Sequence, residues 1–323
     1  MFDQFGEADV LRLAEAPVPE VRPTDLLVRV RAASLNRADL NFRRGSYGRP
    51  NFGDSTLMGL EIAGEVIETG SDTSGFKVGD RVMGIVGGGA YAEVARIDYR
   101  MAIPIPAEFN FVQAAAIPEV FVTAHEALFH LAGLQKREAV LIHAAAGGVG
   151  SAAVQLAHAS GARVIATTTA GKLDRVCAIG ADHAVDYKTL DFVETVMKVT
   201  DGRGTDVVID FIGAPYLERN IRSLGEGGRL IQVGIMGGGA DAKLPLDLLL
   251  FRYIRIIGTV MKSRTQEEKQ AMTRRFQVRW LDHLKNGDIK PLIDSTFPLA
   301  RAADAHRRME GTEVFGKIVL EVA

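Results

Sequence analysis

The stretch that most constrains this chain is 139–169, which reads AVLIHAAAGGVGSAAVQLAHASGARVIATTT. It opens on an apolar run, Ala139 to His143, bounded by turn residues, and this reads as a buried strand. A turn of small residues follows. Ala145, Gly147 and Gly150 take the spacing G-x-G-x-x-G, with alanine in place of the first glycine and Gly148 and Val149 between the last two. A helical period comes next, with Val149, Ala153, Leu156 and Ala157 on one face. A second apolar run, Arg163 to Ala166, completes strand, turn, helix and strand. Small residues at such a turn let the backbone approach a pyrophosphate, and the free N–H groups of a helix start face its charge. The fingerprint alone is weak, but here it sits between a strand and a helix with a second strand in step. That context predicts a dinucleotide-binding unit. The alternative is a tight turn that binds nothing.

The rest of the chain divides around this unit. Its 323 residues suffice for two domains, each with its own core. Residues 1–117 lack the strand–helix alternation. Short β-type runs (Leu26 to Val30, Glu61 to Ile67, Arg81 to Ile85, Tyr91 to Ala95) separated by Gly, Asp and Ser turns predict a mostly antiparallel, barrel-like domain. The opening MFDQFGEADVLRL is turn-like, so either the barrel has an open edge there or the true start lies upstream. From Pro118 the period changes. A helical pattern over 119–133 leads into the fingerprint, and strands follow at His183 to Asp186, Asp206 to Asp210, Arg229 to Gly234 and Ile254 to Val260. Helical stretches at 172–179, 191–199 and 215–224 separate most of them. The prediction is an α/β chain with a doubly wound parallel sheet over 118–263. Residues 264–323, a polar helix and the closing strand GKIVLEV, return to the first domain. The apolar run LPLDLLLFRYIRIIG (244–258) predicts a sheet edge that pairs with a second subunit, hence a homodimer.

Composition excludes several classes. A net charge of −2 suggests no nucleic-acid or anionic-membrane surface. Cys177 is the only cysteine, so no intrachain disulfide forms and thiolate metal sites are ruled out within one chain. It reads as a buried helix residue. No signal peptide and no uncharged run of about 18 residues is present, so a cytoplasmic protein is expected. The first domain has no cysteine and no histidine, the first histidine being His125. A catalytic zinc with Cys and His ligands is therefore not expected, and no other metal site is. Without a Lewis acid, alcohol oxidation has poor support. Hydride delivery to an electron-poor acceptor such as a quinone or enone needs positioning and a nearby donor.

The second strand of the fingerprint unit ends Thr167-Thr168-Thr169, where an NAD-binding sheet would carry an acid for the ribose 2′-hydroxyl. Lys172 and Arg175 follow. Hydroxyls and cations in place of a carboxylate favour a 2′-phosphate, hence NADP(H); the alternative is that both cations are solvated helix charges. Acceptor-side donors lie in SLNRADLNFRRGSYG (34–48): Asn36, Asp39, Arg44 and Tyr47. Asn36 could bond a carboxamide or carbonyl, and Tyr47 could donate to an oxyanion or stack on a flat acceptor. Equally, Asn36 could only cap a turn, Asp39 only pair with an arginine and Tyr47 only pack.

With these residues in place the chain resembles the zinc-independent quinone oxidoreductases of the medium-chain dehydrogenase/reductase superfamily. The resemblance spans the whole chain and rests on LNRADLNFRRGSY (35–47), GLEIAGEV (59–66), VGDRVMG (78–84), AYAEVA (90–95), HAAAGGVGSAA (143–153), GIMGGG (234–239), TVMKSR (259–264) and GKIVLE (316–321). It implies a GroES-like catalytic domain from both chain ends around an inserted Rossmann domain, NADPH as cofactor and usually a dimer. It implies reduction of a quinone or other electron-poor carbonyl compound, with enone or 2-alkenal reduction, or non-catalytic NADPH binding, as the alternatives. Asn36 stands where zinc relatives keep a cysteine and Leu60 where they keep a histidine. By resemblance, Lys172 and Tyr187 contact the 2′-phosphate, and Thr123 lies near the ribose and pyrophosphate. Phe211 and Ile212 line the adenine and nicotinamide-ribose side. Met236, Gly237, Val260 and Lys262 flank the nicotinamide, Lys317 lies near the adenylate phosphate, and Tyr47 stands beside the acceptor. Asn41 occupies a place where some relatives carry tyrosine.

Overall fold

The structure is a computed structural model, and it describes residues 1–46 and 57–323. The chain forms two compact units, one made of Met1–Val122 with Lys262–Ala323, the other of Thr123–Met261.

In the first segment, β1 (Asp25–Ser34) is the most enclosed strand. It pairs with β2 (Glu61–Thr69) on one edge. Between them in sequence, α1 (Arg37–Arg43) starts at Asn36, where the Asp39 carboxylate reaches back to accept the Asn36 N–H at 2.8 Å. Next come β3 (Arg81–Ile85), β4 (Val94–Asp98), β5 (Ala102–Pro104), α2 (Phe111–Ala115) and α3 (Pro118–His125). The strand expected over Tyr91 to Ala95 begins three residues later. Tyr91 instead stands before it, its ring edge-on to His306. Among the described residues no strand precedes β1. Met1 and Arg12 exchange two backbone hydrogen bonds, at 2.9 and 3.0 Å, around a short helical turn, Ala8–Val10.

The second unit alternates as its periodicity predicts: β6 (Ala139–Ile142), α4 (Gly148–Ala159), β7 (Arg163–Thr168), α5 (Leu173–Ala178), β8 (His183–Asp186), α6 (Phe192–Val199), β9 (Thr205–Asp210), α7 (Ala214–Ser223), β10 (Leu224–Gln232), α8 (Leu246–Phe251) and β11 (Arg255–Gly258). The six strands run parallel in the order β11-β10-β9-β6-β7-β8. The order reverses between β6 and β9, which makes the carboxyl ends of these strands the crevice where such sheets take ligands. Leu141, Ile165, Val208 and Leu230 fill the core beneath.

Two expectations need correction here. The run 244–258 is not one edge strand. Leu248 and Leu249 of α8 pack on the core, and the chain turns at Tyr253, φ +54°, before the short edge strand β11. An apolar run of this length does not by itself distinguish a helix from a strand. Cys177 is exposed rather than buried, because the inward position on α5 belongs to Val176.

The chain then returns through α9 (Gln266–Lys285), opened by a Thr265–Glu268 capping box and burying Met272, Phe276, Trp280 and Leu284 at four-residue steps. Then come β12 (Ile293–Pro298), α10 (Ala302–Glu310) and β13 (Lys317–Glu321). β13 inserts between β12 and β1, giving a seven-stranded sheet ordered β12-β13-β1-β2-β3-β5, with β4 also on β1. Among the described residues no helix is long and apolar enough to cross a membrane.

Candidate functional site

At the switch point of the parallel sheet, Ala144 adopts φ +47° and Gly147 stands at the N-cap of α4. Ala145 N–H donates to the Thr167 carbonyl at 3.1 Å, and Gly147 N–H to that of Ala144 at 2.9 Å. The first-turn amides of Gly148, Val149 and Gly150 have no intrahelical acceptor, as at any helix start. Among the described residues a methyl group on Gly147 would meet only the Ala144 carbonyl oxygen, at 3.3 Å, and a helix start of this kind can offer N–H groups to an anion.

Beside it, β7 ends in Thr167 and Thr168, both buried. Thr167 is committed inward. Its hydroxyl lies 2.9 Å from His143 Nδ1, and His143 Nε2 lies 2.7 Å from Asn220 Oδ1. Burial lowers the imidazole pKa, so His143 serves this pair as a neutral ring. With His143 Nε2 on the Asn220 oxygen, Nδ1 accepts the Thr167 hydroxyl proton, so Thr167 has no hydroxyl proton left to donate. Tyr187 follows the end of β8, its N–H donating to the Thr168 carbonyl at 3.2 Å, with its ring exposed. Lys172 closes the short turn after β7, its N–H on the Thr169 carbonyl at 2.9 Å. Thr168, Lys172 and Tyr187 are thereby gathered around the carboxyl ends of β7 and β8. The Asp186 carboxylate, at the end of β8, turns back to accept from the Lys188 amide and the Thr189 hydroxyl.

The loops after β9 and β10 are zipped together. Met236 N–H donates to Phe211 O at 2.9 Å, Gly237 N–H to Ile212 O at 2.8 Å, and Ala214 N–H to Gly238 O at 2.9 Å. Asp210, fully buried at the end of β9, was not singled out from sequence, yet it organises this pair. Its carboxylate accepts from the Ile212 and Gly213 amides at 2.7 and 3.1 Å and from Gln232 Nε2 at 3.0 Å. Only its place at a strand end before a glycine hinted at the role. Val260 lies half-exposed just beyond Thr259, whose N–H bonds the Gln232 carbonyl. Thr123 lies partly buried on α3.

The first unit holds the acceptor-side candidates. Tyr47 lies outside the described residues. Asn36 is buried and its carboxamide is engaged at both ends, Nδ2 donating to Glu61 Oε1 at 2.8 Å and Oδ1 accepting from Lys317 Nζ at 2.7 Å. This corrects the expectation for Lys317. Its ammonium also donates to the Leu35 carbonyl at 2.5 Å and to Glu61 Oε1 at 2.8 Å, inside the unit and only 3% exposed. An ammonium has three N–H bonds, and all three are spent, leaving none for a phosphate. Among the described residues Asp39 pairs with no arginine; it takes the Asn36 N–H and the Tyr91 hydroxyl. Burial pushes its carboxyl up to about 7, with Glu61 adding to the rise. Glu119, whose N–H donates to Glu61 Oε2 at 2.8 Å, is pushed up to about 8 by burial and by the Glu61 charge. Arg44 is held by Glu7 and Glu310 at 2.9 and 3.0 Å. Burial lowers the Lys262 ammonium pKa. Among the described residues no three His, Cys, Asp or Glu side chains are grouped to hold a metal ion.

Family models match both units: the alcohol dehydrogenase GroES-like domain over residues 22–107, and the zinc-binding dehydrogenase over residues 148–277. Human quinone oxidoreductase is 31% identical over 322 residues, covering 98% of this chain and 95% of that protein. The chain belongs to the quinone oxidoreductase-like family of medium-chain dehydrogenases/reductases. Its fold is that of the family, a GroES-like domain and a Rossmann-type parallel sheet. A phenolphthiocerol synthesis polyketide synthase of Mycobacterium marinum is 42% identical over 224 residues, 68% of this chain and 10% of that protein, so the chain spans about a tenth of it. A mycobacterial protein solved in complex with NADPH superposes with a TM-score of 0.89 at 28% identity, covering 99% of this chain and 98% of that one. As a quinone oxidoreductase-like member, the chain is an oxidoreductase of the nicotinamide-cofactor class.

Proposed function

We propose that the chain uses NADPH to reduce quinones, or other electron-poor carbonyl compounds of similar shape, without a catalytic metal. The observation that carries the cofactor choice is the carboxyl end of β7 and β8. Thr168, Tyr187 and Lys172 bring a hydroxyl, a phenol and an ammonium to the residues that end or follow these strands, and the Asp186 carboxylate is engaged by the Lys188 amide and the Thr189 hydroxyl. That set suits a dianionic 2′-phosphate and would leave a bare 2′-hydroxyl without its acid partner.

The small-residue turn fits the rest of the nucleotide. The amides of Gly148, Val149 and Gly150 would take the pyrophosphate, helped by the N-terminal end of α4. Phe211, Ile212, Met236, Gly237 and Val260 would flank the nucleoside and nicotinamide, with Thr123 and Lys262 as further contacts. NADPH, when bound, supplies the hydride. The protein's share is to hold acceptor and donor in register and to steady charge on the acceptor oxygen, with Asn36 donating and Tyr47 alongside. The mammalian relative named a quinone oxidoreductase supports the substrate class, and the donor set at the position where zinc relatives bind metal, Asn36 and Leu60, supports the metal-free chemistry. The exposed apolar surface of α8 and β11 supports a homodimer.

Titrating NADPH and NADH into the protein, then comparing a p-quinone with an enone at fixed NADPH, tests the reading. Faster turnover with the quinone supports it. Faster turnover with the enone replaces it by an enone reductase, and tight NADPH binding with no turnover replaces it by a nucleotide-binding role.

A further inference from the structure

The reading above gives Asn36 a donor's task, and a carboxamide can perform it only if the correct end faces the acceptor. The two ends of an asparagine side chain are nearly the same shape, so a half-turn exchanges donor and acceptor with little steric change. Here both ends have partners that remove the choice. Lys317 has no acceptor atom, so the end 2.7 Å from its Nζ must be oxygen. Glu61 Oε1 accepts from Lys317 Nζ at 2.8 Å and from Ser34 Oγ as well, so it is an acceptor and the Asn36 end 2.8 Å from it must be nitrogen.

We infer that Lys317 is a positioning residue for Asn36: together with Glu61 it fixes the carboxamide so that an N–H, rather than a lone pair, is left for the acceptor oxygen. The inference rests on the proposed function.

Rigid elements set the geometry. Lys317 opens β13, Asn36 lies two residues past the end of β1, and Glu61 opens β2. These are three neighbouring strands, registered by Ser34↔Val319 and by Ala33↔Ile62. The Asn36 backbone is itself pinned by Asp39. Glu61 is fully used: Oε1 takes Ser34 Oγ at 3.1 Å as well as Asn36 and Lys317, and Oε2 takes the Glu119 N–H. One of the two Nδ2 hydrogens goes to Glu61, and the other has no partner among the described residues. A cation that could reach a ligand would leave part of its donor set unspent, and Lys317 leaves none.

The test uses the full chain and three variants: Lys317→Met, Lys317→Arg, and Lys317→Met combined with Glu61→Gln. The double variant removes the buried charge together with its partner, so it stays folded where Lys317→Met alone could fail. Thermal unfolding reports folding, fluorescence titration reports the NADPH Kd, and steady-state assay with a p-quinone reports kcat. The expected result for a folded Lys317→Met or double variant is a kcat lowered about tenfold or more with an NADPH Kd within about threefold of wild type, and partial recovery of kcat in Lys317→Arg. A folded double variant with kcat within about twofold of wild type overturns the inference. So does a variant whose NADPH Kd rises about tenfold while kcat holds, because Lys317 would then be a cofactor contact. Wild-type protein that binds no NADPH overturns the functional reading as well, whereas a wild type that turns over beside unaffected variants overturns this inference alone.

Discussion

A methyl group on Gly150 would lie 2.3 Å from the Ala144 carbonyl oxygen. That carbonyl closes the turn by accepting the Gly147 N–H, and Ala144 already sits at φ +47°. The turn has no slack to absorb a side chain. Gly150→Ala should cost about 1–3 kcal/mol of stability through overpacking. It should also weaken NADPH about tenfold or more as the first-turn amides of α4 are displaced. Denaturant unfolding and fluorescence titration check both, and wild-type affinity in the variant would remove the turn from the binding site.

Lys172→Ala should separate the two cofactors. A charge-assisted bond to a phosphate is worth about 1.5–3 kcal/mol, or about ten- to a hundredfold in Kd. That loss should fall on NADPH and spare NADH. Isothermal titration with both nucleotides checks it, and equal losses would leave Lys172 a solvated helix-end charge.

Asp39 predicts a pH dependence of stability. Its carboxyl is pushed up to about 7 from an ordinary 3.8, first by burial and then by Glu61. The folded state therefore holds a proton that the unfolded chain releases above about 4, so stability falls as pH rises from about 4 to about 7 and then levels. Glu119, pushed up to about 8, extends the fall. Asp39→Asn removes one titrating group. Its stability should drop less than that of wild type between pH 5 and pH 8, by up to about 1.4 kcal/mol for each pH unit below about 7. Urea unfolding at both pH values decides, and parallel losses would contradict the buried-acid account.

These sites differ in how far the sequence exposed them. The β6–α4 turn was legible because its determinants, Ala145, Gly147 and Gly150, lie within six residues and each constrains local backbone. The place of Thr168 and Lys172 at and just after the end of β7 was legible for the same reason. Lys317 was not, because its partners Leu35, Asn36 and Glu61 lie 256 to 282 positions away; no local pattern states that β13 lands beside β1. Asp210 was missed because an acid at a strand end reads the same whether it binds a ligand or braces the next two amides. Residues 244–258 misled because leucine fills the inner face of α8 and its outer face alike, which erases the helical period. The apolar character of Cys177 does not state its burial, because on α5 the inward position belongs to its neighbour Val176.

The outer face of that same region carries the oligomer prediction. Leu250, Phe251 and Tyr253 are 66%, 76% and 70% exposed, beside the edge strand β11. Apolar surface next to an unpaired edge favours a second copy. Phe251→Glu with Ile256→Lys should convert a dimer to monomer in sedimentation velocity while thermal unfolding still shows a folded chain. Wild type that sediments as a monomer would contradict the assignment.

The central claim is that a metal-free chain of this fold oxidises NADPH against a flat, electron-poor acceptor. The most direct measurement follows NADPH absorbance on adding a p-quinone to protein dialysed against a chelator. The account predicts stoichiometric NADPH binding and sustained oxidation that added zinc does not raise. No affinity for NADPH, or turnover that appears only with zinc, would contradict it.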